Sequence, residues 1–146
     1  MSIEQTTDFS AFDRQIKEAF DELAVEQALM AAGFKIAELA SEEEPKMPIL
    51  YGNLIGTQQV FTRAEQMQYG DGDSGQIDRS GQTDYEVRTQ ATMPYAERLH
   101  EEEDWKPGPV SAQKGGVGPF FYREKLTRFK KEIEDAFLAE YRRAKR

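Results

Sequence analysis

The sequence feature that most constrains the fold is an alternation of side-chain types between residues 85 and 93. Successive side chains of a β-strand point to opposite faces of a sheet, so a strand with one apolar face alternates in this way. We therefore predict a strand that stops at Pro94. One predicted face carries Tyr85, Val87, Thr89, Ala91 and Met93, and the other carries Glu86, Arg88, Gln90 and Thr92.

A long amphipathic helix is predicted from Asp8 to about Ala40. Apolar residues recur there at steps of three and four, which places them along one side of a helix. Gly33 is expected to end or kink the helix, because glycine is a poor helix former, and the acidic run before Pro45 should stop it. The predicted stripe consists of Phe9, Phe12, Ile16, Phe20, Leu23, Ala24, Ala28, Ala31 and Phe34.

A second amphipathic helix is predicted from Phe120 to Lys145, with cations near its end, where they favour the helix dipole. The order of helix, strands and helix indicates an α+β fold, in which the C-terminal helix packs on a small antiparallel sheet with long loops. The apolar stripe of this helix consists of Tyr122, Leu126, Phe129, Ile133, Phe137 and Tyr141.

The remaining segments complete one domain over residues 1–146, with residues 1–7 flexible. A further strand is predicted from Gln59 to Tyr69, with Phe61, Met67 and Tyr69 on the same face. The connections are a helical turn from Tyr95 to His100, positive-φ turns at Gly52 and Gly56, and long loops at 70–84 and 101–119.

Composition excludes several classes of protein. The chain has no cysteine, which removes disulfides and thiolate metal sites. It has no apolar run near the roughly 20 residues of a membrane helix and no signal-peptide pattern at its start, so we expect a soluble protein made in the cytoplasm. The net charge of −8 argues against general binding of nucleic acid.

The charge is unevenly distributed along the chain. Residues 1–105 carry 8 Lys/Arg and 22 Asp/Glu, whereas residues 106–146 carry 11 Lys/Arg and 5 Asp/Glu. This pattern fits either uneven surface charge on a monomer or acidic and basic faces that meet between copies, as in head-to-tail rings.

Two glycine-rich segments are similar to known binding motifs. Gly70–Gly75 matches G-x-G-x-x-G, but a strand pattern follows it and its aspartates would repel phosphates, so we interpret it as a turn. Its spacing also fails the EF-hand pattern. Lys114–Pro119 lacks the order of a phosphate loop, and its glycines are expected to bend the chain before the last helix.

His100 is the one histidine in the sequence, and no second His or Cys is present to complete a zinc site with it. We predict that it packs or makes a local hydrogen bond. The 27 acidic residues show no spacing that singles out a catalytic carboxylate pair. No catalytic residue, cofactor or metal ligand is therefore predicted.

Three segments, in order, resemble the tail-completion (neck, or minor capsid) proteins of tailed bacteriophages. Pro48–Thr57 resembles the entry to their sheet, Pro94–Glu101 resembles a segment that follows a strand, and Lys114–Leu126 resembles the start of their last helix. The residues that carry the first two matches are Gly52, Asn53, Leu54, Tyr95, Ala96, Leu99 and His100.

The resemblance implies a helix-flanked antiparallel sheet that assembles with copies of itself, six or twelve, into a ring in the virion. Such a ring joins the connector or portal side of the head to the tail, and DNA passes through it without specific binding. The resemblance implies no catalytic residue, cofactor or membrane contact for this chain. Predicted interface residues are Trp105, Lys106, Phe120, Phe121, Arg128, Lys131, Arg142 and Arg143.

Other functions stay open beside this one. A tail terminator or head-closure protein would have a similar architecture. A non-viral adaptor domain would have a specific partner outside any phage. A small hydrolase or nuclease using carboxylates and a metal is a third class, and it would need a pocket lined by acids.

Overall fold

The computed structural model describes residues 5–8, 22–47, 55–71, 75–93, 96–101, 115–116 and 118–145. These ranges confirm the predicted α+β fold, with a long helix before most of an antiparallel sheet and a helical segment after it. The elements are β1 (Gln5–Asp8), α1 (Glu22–Glu42), a 3₁₀ helix (Ile55–Thr57), β2 (Gln58–Phe61), β3 (Gln66–Gln68), β4 (Glu86–Ala91), α2 (Ala96–Glu101), α3 (Arg123–Arg128) and α4 (Lys130–Ala144).

The four strands form one antiparallel sheet in the order β1-β4-β2-β3. The predicted strand is confirmed as β4, which lies inside the sheet between β1 and β2, and both of its faces are buried. On one face the Thr89 hydroxyl donates to the carbonyl of Gly33 in α1, at 2.8 Å. On the other face Arg88 donates to the carbonyl of Asp78, at 2.9 Å.

The predicted start of the first helix at Asp8 is wrong, because Asp8 ends strand β1. Residues 5–8 pair with residues 86–89 of β4, so the prediction of a flexible segment from 1 to 7 also fails for residues 5–7. Backbone pairing to β4 decides this conformation, since the polar sequence of β1 has no strand pattern. The predicted helical residues 9–21, with four members of the apolar stripe, lie outside the described residues.

Helix α1 confirms the predicted helix from residue 22 to its end, which falls at Glu42 in the acidic run. Leu23 was predicted on the buried stripe, but its residue surface is 58% exposed. Ala24 and Ala28 are buried as predicted, while Ala31 and Phe34 are only partly covered. The buried side is broader than the predicted stripe, because α1 packs on the sheet and also against α4. It includes Val25, Leu29, Ala32, Ile36, Leu39 and Ala40.

Gly33 does not end the helix, contrary to one of the two predicted outcomes, since α1 continues through it for another nine residues. A Cβ atom at this position would lie 2.4 Å from Val60 and 2.8 Å from Val87, so the missing side chain lets the helix approach the sheet closely. The glycine is therefore a packing residue of the helix–sheet contact.

The predicted single strand from Gln59 to Tyr69 is wrong, because the chain reverses within it and forms the β2–β3 hairpin. The hydroxyl of Thr62 accepts hydrogen bonds from the backbone N–H groups of Ala64 and Glu65, at 3.2 and 3.0 Å, and this stabilises the turn. Asn and Gly, the usual hairpin signals, are absent from this turn, so the sequence pattern did not mark it.

Gly56 was predicted in a positive-φ turn, but it lies in the 3₁₀ helix and its φ is not positive. Gly56 instead lies close to Gly70, since a Cβ atom on Gly70 would lie 2.6 Å from the Cα atom of Gly56. Gly52 lies outside the described residues. The predicted helical turn from Tyr95 to His100 is confirmed by α2, whose described part begins at Ala96.

The described part of the loop at 70–84 lies against the sheet. The backbone N–H of Gly75 donates to the Thr92 hydroxyl, and that of Asp78 donates to the Gln90 side chain, both at 2.8 Å. Gln82 donates to the carbonyl of Phe61, at 3.0 Å. The loop therefore covers the sheet face opposite α1, which explains why polar residues of β4 are buried.

The C-terminal helix is interrupted at Phe129, whose φ of −110° and ψ of 27° separate α3 from α4. The predicted apolar stripe is nevertheless confirmed: Tyr122, Ile133 and Phe137 are buried, and Leu126, Phe129 and Tyr141 pack partly buried on the same core. The segment reaches the sheet through Tyr122, whose hydroxyl donates to Gln58 of β2 at 2.7 Å. Helix α4 lies along α1. None of the described helices has the length and apolar character needed to cross a membrane.

Candidate functional site

A cleft of about 320 Å³ opens where α1 begins beside the β2–β3 turn. Its acidic residues come from two parts of the chain, the first turns of α1 and the segment before β4, and its one basic residue comes from the hairpin turn. The sheet register brings these segments together, which sequence spacing does not indicate. The lining residues are Glu22, Val25, Glu26, Arg63, Ala64, Asp84 and Tyr85.

The charges of the cleft are partly paired within the chain. Arg63 donates to the Asp84 carboxylate at 2.9 Å, and both side chains are more than half exposed. The Thr62 hydroxyl donates to Glu26 at 2.7 Å. Burial raises the pKa of the Glu26 carboxyl, the Thr62 hydrogen bond opposes this, and the charges of Glu65 and Asp84 raise the pKa further.

The cleft thus offers a carboxyl that holds its proton more readily than a free glutamate, beside an exposed ion pair. This arrangement can accept a cationic or hydrogen-bonding group. Across the described ranges, no three or more His, Cys, Asp or Glu side chains are grouped so that they could hold a metal ion.

His100 is fully buried, and its predicted role in packing and local hydrogen bonding is confirmed. Its ring lies 5.0 Å from that of Phe121, edge to face. The backbone N–H of Arg123 donates to Nε2 at 3.3 Å, so Nε2 is the unprotonated nitrogen. Nδ1 then carries the proton and donates to Glu101 at 2.8 Å. Burial lowers the pKa of the His100 ring, and the Glu101 carboxylate partly opposes this.

The same corner of the molecule holds a buried lysine. Lys125 is completely buried, and its Nζ donates to the carbonyls of Pro45 and Phe121 at 2.7 and 3.3 Å. Burial lowers the pKa of Lys125 to about 8. Arg128 donates to the carbonyl of Glu44 at 2.9 Å, so two cations join the residues after α1 to the C-terminal segment.

The glycines before the last helix bend the chain as predicted. Gly115 and Gly116 have φ of 75° and 71°, a region that favours glycine. The carbonyl of Gly116 accepts from the backbone N–H of Lys46 at 2.7 Å, which joins this bend to the residues after α1.

The predicted interface residues differ in their exposure. Arg128, Lys131, Arg142 and Arg143 are exposed, while Phe120 is half-buried beneath the Arg123 guanidinium, 4.8 Å from its ring centre. Phe121 is completely buried and belongs to the core, which corrects its assignment to a surface. Trp105 and Lys106 lie outside the described residues.

The residues of the family resemblance are only partly described. Ala96 and His100 are buried and lie at the two ends of α2, which the structure thus uses for packing. Leu99 belongs to the same helix. Gly52, Asn53, Leu54 and Tyr95 lie outside the described residues.

Sequence reasoning missed the polar network on the outer face of the sheet. Glu86 and Arg88 form a buried ion pair on β4, and Gln59 of β2 is buried and accepts from Gln66 of β3 at 3.2 Å. The alternating pattern of β4 did place Glu86, Arg88 and Gln90 on one face. It did not show that a loop would cover that face.

No protein-family model matches the chain, and the comparisons with curated proteins and with solved structures found no similar protein either.

Proposed function

We propose that this protein is a structural protein of a tailed-phage virion that forms a ring at the head–tail junction and links the connector to the tail. The observation that supports the proposal is the agreement between the sequence resemblance and the fold. The sequence resemblance implies a helix-flanked antiparallel sheet, and the described residues have a long helix, a four-stranded antiparallel sheet and a C-terminal helical pair.

The distribution of charge supports the same function. Residues 106–146, which include the exposed Lys131 and Arg142 of α4, carry 11 Lys/Arg and 5 Asp/Glu, whereas residues 1–105 carry 8 Lys/Arg and 22 Asp/Glu. Such an uneven distribution favours attraction between the basic segment of one copy and the acidic segment of the next, which would steer like copies toward head-to-tail contact. Contacts of that kind close into rings when the rotation between copies allows it.

A ring that conducts DNA must not retain it. We propose that part of the acidic surface of residues 1–105 lines the channel, where it repels phosphates, and that the basic C-terminal helices face acidic neighbours. A ring with α4 on its inner wall and the acidic residues outside would contradict this arrangement.

The experiment is cryo-electron microscopy of the neck of virions assembled with this chain, with the chain traced into density. A ring of copies between connector and tail tube is the expected result. Absence of the chain from the particle would overturn the proposal, and a pull-down would then search for the partner of an adaptor domain. Density at the tail end or at the connector exit separates the terminator and head-closure alternatives.

A further inference from the structure

His100 attaches the end of α2 to the C-terminal segment through both its backbone and its side chain. Its carbonyl accepts from the backbone N–H of Phe120 at 2.8 Å. Nε2 of its ring accepts from the backbone N–H of Arg123, the first residue of α3, at 3.3 Å. The ring is fully buried and lies edge to face with Phe121. A single side chain therefore joins two short helices in the interior.

Only the neutral ring can make this attachment. Nδ1 donates to Glu101, so Nε2 is the nitrogen that accepts from Arg123. A proton added to Nε2 turns this acceptor into a donor and places two N–H groups opposite each other. Within the described part of the chain, Nε2 has no second hydrogen-bond partner that could take up the new donor. Protonation therefore replaces a hydrogen bond with a buried, unsatisfied donor, which is unfavourable.

The titratable groups around the ring also disfavour a charged His100. Burial lowers the pKa of the ring, the Glu101 carboxylate opposes this, and the cations Arg123 and Lys125 of α3 lower the pKa further. The Glu101 carboxylate is shared, because it also accepts from Arg123 at 2.8 and 2.7 Å. The phenol of Tyr122, whose ring lies 6.0 Å away, stays neutral, because burial raises its pKa well above the ordinary value. One shared carboxylate thus faces two cations beside the ring.

We propose that His100 is a pH-sensitive switch: protonation of its ring releases the end of α2 from α3, while the sheet, α1 and α4 stay folded. Ala96, at the start of α2, packs in the hydrophobic core, so release frees the end of the helix at Glu101. The released ring reaches water, where its charge is hydrated and no longer faces the N–H of Arg123. Release also uncovers Phe121, which packs against the ring. The switch does not depend on the ring of copies in the proposed function.

The two positions of the ring define the pH window of the switch. A released ring takes up its proton near pH 6.5, whereas the buried ring does so only at lower pH. The released form therefore gains up to about tenfold over the closed form for each pH unit below 6.5. Burial raises the pKa of the Glu101 carboxyl, but its hydrogen bonds with His100 and Arg123 outweigh this and lower the pKa below 4.5. Glu101 thus stays ionised while His100 titrates.

Amide hydrogen exchange of the wild-type chain, followed by nuclear magnetic resonance between about pH 7.5 and 5, tests the switch. The N–H groups of Phe120 and Arg123 report on the attachment, and that of Ile133, bonded to Phe129, reports on α4. We expect the protection factors of Phe120 and Arg123 to fall roughly tenfold or more below pH 6.5. Low denaturant should accelerate exchange at Ile133 but not at Arg123, because a local opening exposes little surface. Equal protection of all three amides at every pH would mean that the chain opens as a whole, and would overturn the proposal.

Two variants identify the group that titrates. His100→Gln offers an amide oxygen to Arg123 but takes up no proton, so the protection of Arg123 should no longer depend on pH. Glu101→Gln is the matched control, because it removes the neighbouring carboxylate and keeps the imidazole. It should protect Arg123 less at every pH, since the ion pair is lost, and should keep the pH dependence. A pH dependence that survives in His100→Gln, or that disappears in Glu101→Gln, would contradict the switch.

A second measurement needs no substitution, and it decides the matter if His100→Gln fails to fold. The ring resonances of the single histidine of the wild-type chain report its protonation directly. Below the midpoint of that titration, the backbone N–H of Arg123 should be unprotected while that of Ile133 stays protected. A chain whose His100 ring is protonated and whose Arg123 amide is still protected would show that the charged ring remains in place, and would overturn the proposal.

Discussion

Gly33 of α1 and Val60 of β2 pack so closely that a Cβ atom on Gly33 would lie 2.4 Å from Cγ1 of Val60. The second obstacle is Val87 of β4, at 2.8 Å. Branching at Cβ restricts the χ1 rotation of valine, so neither side chain can move aside easily. The helix–sheet distance therefore depends on the absence of a side chain at residue 33.

The first prediction follows from this contact. Gly33→Ala should improve the helix propensity of α1 by about 1 kcal/mol, but the clash with two valines should outweigh it. We expect a net loss of about 1–2 kcal/mol in the free energy of unfolding, measured by chemical denaturation. Adding Val60→Ala makes room, so the double variant should lose less than the sum of the single losses. A more stable Gly33→Ala variant would refute the packing argument.

The second prediction concerns the β2–β3 turn. Thr62→Val keeps the shape of the side chain but removes the hydroxyl that accepts from Ala64 and Glu65 and donates to Glu26. We expect a loss of about 1–2 kcal/mol of stability and a further rise in the pKa of Glu26. Thr62→Ser, which keeps the hydroxyl, is the control. If the valine and serine variants melt at the same temperature, the hydroxyl has no such role.

The third prediction is a pH dependence caused by Lys125. Because its pKa falls from 10.5 to about 8 on folding, the unfolded chain binds more protons between these two values. The free energy of unfolding must therefore rise as the pH increases from about 8 to 10.5. Below pH 8 the lysine is charged in both states, and the full cost of burying that charge is present. The difference in free energy of unfolding between the wild type and Lys125→Met should therefore change across this pH window, as measured by chemical denaturation at several pH values.

The control for this prediction is Lys130→Met, which removes an exposed lysine. Comparison of the two variants separates the effect of the buried lysine from the general loss of one positive charge. A constant difference for Lys125→Met would mean that Lys125 keeps an ordinary pKa in the folded chain.

The fourth prediction concerns the protonation of His100. Since burial lowers the pKa of the ring below 6.5, the unfolded chain takes up a proton first, and stability falls as pH drops through 6.5. Nuclear magnetic resonance should show the neutral ring with its proton on Nδ1. The spectrum is easy to assign, because the chain has one histidine.

The variant Glu101→Gln sharpens this test. The carboxylate of Glu101 raises the pKa of His100, so its removal should lower that pKa further. An unchanged titration of His100 in this variant, or a wild-type ring protonated on Nε2, would contradict the hydrogen bonds described for the ring.

Periodicity within single elements was enough to predict much of the fold. The alternation around Val87 predicted β4, and the stripe through Ile133 and Phe137 predicted the buried side of the C-terminal helices. Both signals are local, because the period of an element fixes which residues share a face. The predicted packing of His100 also followed from the sequence, since no other His or Cys is present to complete a metal site.

Contacts between distant residues decided the rest. Strand β1 exists through pairing with β4, the β2–β3 turn depends on the hydroxyl of Thr62, and the position of Gly33 depends on two valines that follow it by 27 and 54 residues. The acidic cleft arises in the same way. Sequence alone determined the fold class and the faces of the elements, because their periods are local. The tertiary structure decided register, edges and sites, because those depend on which segments meet.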